Sequence, residues 1–342
     1  MKNNKLFNDN LYNTPFHNID LSQYKFLITG GAGFIGSNLT EYLLKYGAGH
    51  VRVLDNLSNG YLENIKDFVG LPNFEFIKGD IRDLNTCRKA VLGMDFISHQ
   101  AALGSVPRSI ADPVTTNEVN ISGFLNMLIA AKESTSLKQI VYAASSSTYG
   151  DSSKLPKVEG SEGNPLSPYA VTKLVNELYA DVFSRVYNFH TIGLRYFNVF
   201  GPKQNPDNPY AAVIPIFCKH FIIGTSPDIF GDGETSRDFT FVENAIQANI
   251  KSLLFDELRS HEVMNMACGD QFSLNDMISM LNEISGKHIS ANYRPERKGD
   301  VRHSKADIQK IKKLINFNPN IKFNEGLKIT YNWYLEELKC RV

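Results

Sequence analysis

Cysteine is scarce in this chain of 342 residues. Cys87, Cys218, Cys268 and Cys340 lie far apart and form no C-x-x-C pair. That spacing speaks against a disulfide framework and against a zinc site, so no metal is expected, and the thiols read as small buried hydrophobes in a reducing compartment. Net charge is missing as well. Lys+Arg and Asp+Glu both number 36, which leaves no global field to draw in nucleic acid or an anionic membrane surface. Any anion has to be caught by local geometry. No apolar run is long enough to span a bilayer, and residues 1–24, rich in Asn and Asp, lack the continuous apolar core of a secretory signal. The chain therefore reads as cytoplasmic. The bulk composition, 42% hydrophobic and 21% charged, is that of an ordinary soluble protein, and the length suits two lobes.

Short apolar runs alternate with helical periodicity along the first half. Residues 25–29 are apolar and end in glycines, as a buried parallel strand does, and 38–46 carries Leu39, Leu43 and Leu44 at helical spacing. Further strands are predicted at 50–55, 74–77, 95–99, 138–144 and 191–195, with helices at 86–92, 120–132 and 169–187. This alternation implies β-α-β units and an α/β fold, a doubly wound parallel sheet of the Rossmann type. After Asn198 the pattern breaks up, with Gly201-Pro202, Asn205-Pro206 and Asn208-Pro209 marking loops. Residues 25–195 are accordingly assigned to the sheet lobe, with a return to it at 239–254. Residues 196–342 form a smaller α/β substrate-binding lobe, and 1–24 an N-terminal extension that is either a disordered lead-in or a helix packed on the surface.

Gly30, Gly33 and Gly36 stand directly between a predicted strand and a predicted helix. Without Cβ atoms the backbone turns sharply there and lets a pyrophosphate rest on the helix N-terminus. Alone, such a triplet is equally a plain tight turn; here strand, helix and a following acid agree. Asp55 ends the second strand, where a carboxylate accepts hydrogen bonds from an adenosine ribose and repels a 2′-phosphate, so NAD is favoured over NADP; Arg52 is not placed to reverse this. Gly79-Asp80-Ile81 after the third strand suits an adenine edge, or else a turn with a solvated Asp. Tyr169 and Lys173 are four apart and share one helix face. A free tyrosine is a poor base at neutral pH, but an adjacent ammonium and a positively charged nicotinamide both favour the phenolate. Ser145 to Ser147 end a strand at the sheet's carboxyl edge, where a hydroxyl can relay a proton between substrate and phenolate. Y-x-x-x-K alone is a common accident; after a serine cluster and a dinucleotide turn it reads as a base.

These residues carry a family resemblance. From about Lys25 nearly to the C-terminus, the chain resembles the extended short-chain dehydrogenase/reductases and, within them, the nucleotide-sugar 4-epimerases. The likeness rests on Thr29 to Gly36, Ser145-Ser146-Ser147-Thr148-Tyr149-Gly150, Ser167-Pro168-Tyr169 with Lys173, Arg195-Tyr196-Phe197-Asn198, and Gly231-Asp232-Gly233 with Ser236-Arg237-Asp238-Phe239. Residues 101–109 and 299–304 resemble more narrowly the bacterial UDP-N-acetylglucosamine 4-epimerases. By position, the resemblance implies NAD contacts at Phe34, Ile35, Asp55, Asn56, Asp80, Ile81, Ala101, Ala102, Asn120, Tyr169, Lys173 and Phe197. It implies UDP contacts at Asn198, Arg237 and Arg297, with Ala212 and Val213 lining a uridine cleft. Two guanidinium groups suit a diphosphate, although Arg237 could equally pair with Asp238 on the surface. Ser304 stands where relatives limited to plain hexoses carry a bulky tyrosine, leaving room for a C2 acetamido group, unless it is an ordinary loop residue.

The resemblance thus implies a UDP-sugar 4-epimerase working through a transient 4-keto sugar with retained NAD, with Ser145, Tyr169 and Lys173 as the catalytic group. Dehydratase and decarboxylase relatives place an acid just after the active-site hydroxyl, where this chain has Ser146 and Ser147. A UDP-glucuronate 4-epimerase would share the same catalytic residues, and Arg108 keeps that reading open. A non-catalytic NAD-binding scaffold is the reading from another class. In similar proteins the helices corresponding to 120–132 and 169–187 form a dimer-making four-helix bundle, so a homodimer is expected.

Overall fold

In the computed structural model, which describes residues 6–207, 212–258, 260–296 and 302–339, the apolar runs become the centre of one sheet. Its strands are β1 (Lys25–Thr29), β2 (His50–Asp55), β3 (Phe74–Lys78), β4 (Phe96–His99), β5 (Gln139–Ser145) and β6 (Thr191–Tyr196). A seventh, Glu262–Met266, pairs parallel with β6, and the order across the sheet is 262–266, β6, β5, β4, β1, β2, β3. All pairings are parallel. Chain order reverses between β1 and β4, and in open sheets of this kind ligands bind outside the carboxyl ends of the strands at that switch point.

Helices cover both faces, which explains why the central strands are almost wholly apolar. On one side lie α2 (Leu84–Val91), α5 (Gly123–Glu133) and α6 (Pro168–Tyr187), closing a core of Leu27, Ile97, Phe124, Leu128 and Tyr142. On the other, α1 (Phe34–Lys45) and α8 (Val242–Leu253) bury Leu39, Leu43, Ile246 and Ile250 against Ile28 and Val53. That second core runs on without a break into α7 (Val213–Ile223), α9 (Leu274–Ser285), α10 (Gln309–Ile315) and α11 (Phe323–Lys339). Each fully buried Phe or Leu in these cores contributes roughly 1.5–3 kcal/mol. No helix among the described residues is long and apolar enough to cross a membrane.

Three findings depart from the sequence reading. The strand 262–266 lies in a stretch assigned to the second lobe, yet it completes the sheet. Its Glu-Val-Met-Asn-Met pattern hides it, because Asn265 is fully buried and its polar atoms are paired with Tyr149, Lys157 and Asp307. The helix expected from 120 begins earlier: α4 (Pro113–Asn117) runs through a π turn at Glu118–Ser122 into α5. Over its described residues, 6–24, the N-terminal extension is neither a disordered lead-in nor a helix. Apart from one short turn at Leu21–Gln23 it is irregular backbone laid across α1. Leu11 and Tyr12 are fully buried, the Phe16 ring stacks on Tyr42 with centroids 5.1 Å apart, and Lys45 Nζ donates to Leu11 O at 2.7 Å.

Candidate active site

The glycine turn sets one end of a cleft of about 440 Å³ that runs along the carboxyl edge of the sheet. Gly30 has φ +67°, and a Cβ there would lie 2.7 Å from Ala101 N. A Cβ on Gly36 would meet Gly30 O at 2.2 Å, so α1 can approach the turn this closely only without one. Gly33 is the N-cap residue of α1 and offers no side-chain cap. The first N–H groups of the helix therefore face the cleft with the positive end of the helix dipole, as an anion site requires. At the end of β2, Asp55 accepts from Ala32 N–H (3.0 Å) and Leu57 N–H (2.7 Å). Burial pushes its carboxyl above the usual range, opposed by those two donors. Asn56 is held by its Nδ2 bond to Asp80 at 2.9 Å, and Asp80 in turn grips Arg82.

At the other end stand Ser145, Tyr169 and Lys173, all lining the same cleft. Ser145 is the last residue of β5, and its Oγ accepts from the Ser147 backbone N–H (3.1 Å) and hydroxyl (2.9 Å). Its own proton is thereby left for an acceptor in the cleft, and the hydroxyl acts to lower the Tyr169 phenol. Tyr169 sits in the first turn of α6, where Ser167 caps the helix and Pro168 takes the first position, which lacks a use for an N–H. The Tyr169 N–H donates to Ser109 Oγ at 3.0 Å, which fixes the helix start against α3 (Val106–Ala111). Burial pushes the Tyr169 phenol up, and the Ser145 bond opposes that. Lys173 lies one turn on. Its Nζ donates to Ala143 O at 2.6 Å and stands 6.0 Å from the Tyr169 ring centroid. Burial pulls Lys173 down to about 8, against the pull of Glu177 in the other direction. Below that pH it is an ammonium beside the phenol. His99 is pulled down to about 3 by burial and by Lys173, so it is a neutral imidazole bonded to Thr29 rather than a proton carrier.

Of the expected cofactor residues, Gly30, Gly33, Phe34, Ile35, Gly36, Asp55, Asn56, Ile81, Ala101 and Ala102 line the cleft, as does Ala212. Three expected contacts lie elsewhere. Asp80 acts through Asn56. Asn120 is turned inward by the π turn and brackets Leu103, accepting from its N–H (2.8 Å) and donating to its oxygen (3.2 Å). The Phe197 side chain is wholly buried beside Tyr149. Asn198 is exposed and donates to Asp238 O at 3.0 Å; Val213 opens α7 behind Ala212. Arg237 Nη1 donates to Ser236 O and to Arg302 O, and the Ser304 N–H donates to Ser236 O at 3.1 Å. Arg237 and Ser304 meet at the strand pair 236–237 and 272–273, and none of Asn198, Val213, Arg237 and Ser304 is among the residues that line the cleft. Arg297 lies outside the described residues.

Several lining residues carry no local signal in the sequence. Gln100 and Tyr196 both face the cleft; Tyr196 Oη donates to Gln100 Oε1 at 3.0 Å, and Asn249 of α8 donates to Tyr196 Oη at 2.8 Å. Tyr61, Lys203, Gln204 and Asn205 close the glycine end. Behind Lys173, Arg195 makes a two-pronged pair with Glu177 (2.9 and 2.7 Å) and a further one with Glu162. An uncapped helix start, a buried carboxylate at the end of β2 and a Tyr–Lys–Ser group along one cleft fit a nicotinamide dinucleotide lying end to end.

With this geometry in view, the protein family described as GDP-mannose 4,6 dehydratase matches residues 27–330. A UDP-N-acetylglucosamine 4-epimerase from Methanobrevibacter ruminantium M1, solved in complex with UDP-N-acetylmuramic acid, is 38% identical with a TM-score of 0.86, over 92% of this chain and 99% of that one. The UDP-glucose 4-epimerase of Thermotoga maritima, solved with UDP-glucose, is 33% identical with a TM-score of 0.85 over the same shares. The UDP-glucuronic acid 4-epimerase of Bacillus cereus, solved with UDP-glucuronic acid and NAD, is 33% identical with a TM-score of 0.83, again over 92% and 99%.

Proposed function

Because the chain belongs to the GDP-mannose 4,6 dehydratase family of extended short-chain dehydrogenase/reductases, we propose that it is an NAD-dependent UDP-sugar 4-epimerase, and more narrowly that it interconverts UDP-N-acetylglucosamine and UDP-N-acetylgalactosamine. One observation carries the epimerase reading: the half-buried Tyr169 phenol lines the cleft together with Ser145, whose hydroxyl acts to lower it, and with Lys173, whose Nζ stands 6.0 Å from its ring centroid. That arrangement can take a proton from a sugar hydroxyl and give it back. Ser146 and Ser147 follow where an elimination would want a carboxylate, which separates this chain from the dehydration named in the family description. The acetamido preference is supported by Ser304 and by the likeness to the M. ruminantium enzyme.

Gly30, Gly33 and the first turn of α1 hold the dinucleotide's pyrophosphate, and Asp55 its adenosine ribose. Bound there, NAD would supply the hydride acceptor and donor that inversion at C4 requires, and a positive charge that would favour the Tyr169 phenolate. Tyr169 Oη takes the 4-hydroxyl proton directly or through Ser145 Oγ, and later gives it back. Lys173 steadies the phenolate with its ammonium and keeps its own position through Ala143 O. Arg237 and Arg297 hold the UDP diphosphate, with Asn198, Ala212 and Val213 about the uridine, while the sugar stays loosely held and free to turn. The exposed stripe Val171, Leu178, Val182 and Val186 on α6 supports a homodimer, and the buried free thiols Cys87, Cys218 and Cys268 accord with a reducing cytoplasm.

The test is product separation after incubation with acetylated, plain and uronic UDP-sugars, alongside the Tyr169→Phe variant. Wild type should convert UDP-N-acetylglucosamine fastest, and the variant should lose turnover by about 10²-fold or more while keeping NAD. Conversion of only the uronic sugar would make this a UDP-glucuronate 4-epimerase. Retained turnover in the variant would remove Tyr169 as the base, and no conversion with NAD bound would leave a scaffold.

A further inference from the structure

The extension is joined to the cleft through two buried side chains of α1. Asn38 Oδ1 accepts from the Tyr12 hydroxyl at 2.8 Å, while its Nδ2 donates to Pro202 O at 3.1 Å. One turn on, Glu41 Oε1 accepts from the Asn8 N–H at 2.6 Å, while its Oε2 accepts from Lys203 Nζ at 2.7 Å. Each side chain thus has one polar atom on residues 8–12 and the other on the loop 201–205. That loop supplies Lys203, Gln204 and Asn205 to the lining of the glycine end. Its far side crosses to the opposite wall, where Asn205 Nδ2 donates to the Tyr61 hydroxyl at 2.7 Å. Lys203 is held at φ +72° and Tyr12 at φ +58°. Non-glycine residues adopt that region only where their surroundings impose it. Burial keeps the Tyr12 phenol protonated, so the donor persists at any physiological pH.

We propose that residues 8–16 act as a strap which, through Asn38 and Glu41, holds the 201–205 loop against the mouth of the dinucleotide cleft and slows release of the bound cofactor. The inference rests on the cleft holding NAD. A cycle with no net redox change has no need to exchange its cofactor, so a device that retains it costs nothing in turnover. The strap acts by positioning and touches no reacting atom.

Tyr12→Phe removes one donor and keeps the ring; Asn8→Pro removes the other donor, a backbone N–H. In the double variant, loss of NAD from the purified holoenzyme on timed dialysis should be about tenfold faster than in wild type. Turnover at saturating NAD should stay within about twofold. In protein stripped of nucleotide, hydrogen exchange at the amides of 203–205 should quicken, while amides of β1 and β5 keep their protection. Unchanged loop exchange, or unchanged NAD release despite quicker exchange, overturns the strap. A wild-type protein that takes up no NAD refutes the cofactor reading instead, and the loop exchange then still decides whether strap and loop are coupled.

Discussion

Glu177→Gln is the perturbation that separates a brace from an electrostatic partner of Lys173, the proposed catalytic lysine. Tyr169, Lys173 and Glu177 are spaced by four along α6, so they occupy successive turns of one face. Glu177 is 7% exposed and Arg195 4%, and their two bonds of 2.9 and 2.7 Å satisfy the carboxylate on both oxygens. Breaking a buried pair on one side costs about 3–5 kcal/mol. Glu162 stays on Arg195 in the variant, so the expected loss lies near the lower end, about 3 kcal/mol, read as a lower urea midpoint. The second consequence concerns pH. Burial lowers Lys173 to about 8 and the Glu177 charge opposes that lowering. Lys173 is an ammonium below this pH and neutral above it, so epimerisation that needs the ammonium falls as pH rises through about 8. Without the Glu177 charge the ammonium is lost earlier, and the alkaline limb of the rate profile moves to lower pH; each unit corresponds to about 1.4 kcal/mol of lost attraction. Initial rates from roughly pH 6 to pH 10, at saturating NAD, measure it. A limb that stays in place or moves upward while stability falls would show that Glu177 braces the helix and does nothing for Lys173.

Two further outcomes follow from the region around the strand pair 236–237 and 272–273. The buried Asp238 carboxylate accepts from the N–H groups of Cys268 (3.0 Å), Gly269 (3.0 Å) and Ala306 (3.2 Å), yet burial pushes it up to about 7. Between its unfolded value and that one, the folded chain holds a proton the unfolded chain has lost, so this group makes stability fall as pH rises from about 4 to about 7. Asp238→Asn should remove that slope from urea midpoints taken across the range and cost on the order of 2 kcal/mol for the N–H groups left unmatched; a slope equal to wild type would rule the proton out. Ser304→Tyr should lower kcat/KM for the acetylated sugar about tenfold and leave plain hexoses within about twofold, whereas equal losses on both would remove Ser304 as a size gate.

The sheet is legible because its strands are buried on both faces and therefore spell short apolar runs bounded by glycine, a signal that needs no partner to be read. The glycine turn, Asp55 and the Tyr169–Lys173 spacing are legible for a related reason: each couples neighbours along the chain, so the constraint falls within a few residues. The strand 262–266 escapes because its central Asn265 is buried by being fully hydrogen bonded, which makes a core strand look polar. Residues 6–24 escape because their burial depends on α1. Tyr12 and Phe16 have no periodic companions, and Asn38, Tyr42, Tyr46 and Glu243 give them a place. Gln100, Tyr196 and Asn249 come from three elements, and no window of sequence contains their network.

In the proposed reading, chemistry and sugar choice are thereby separated in the fold. The proton-handling group is built from strand ends and the first two turns of one helix, on a sheet whose register is set by core packing. Ser304, in contrast, is placed by two isolated bridges, one from His303 to Ser236 and one from Ala306 to Lys157. Asp238 ties the same segment down through Ala306 N–H. Three stretches far apart in the chain thus meet at a point that none of them specifies alone. In the proposed reading, substitutions at Ser304 itself resize the pocket without moving Tyr169, since among the described residues no hydrogen bond joins these two. A link between the regions runs through Asn265, from Lys157 O and Asp307 O to the Tyr149 hydroxyl. In that reading one reaction is kept while the accepted sugar varies, and the motifs that declare the reaction are for that reason silent about the substituent at C2.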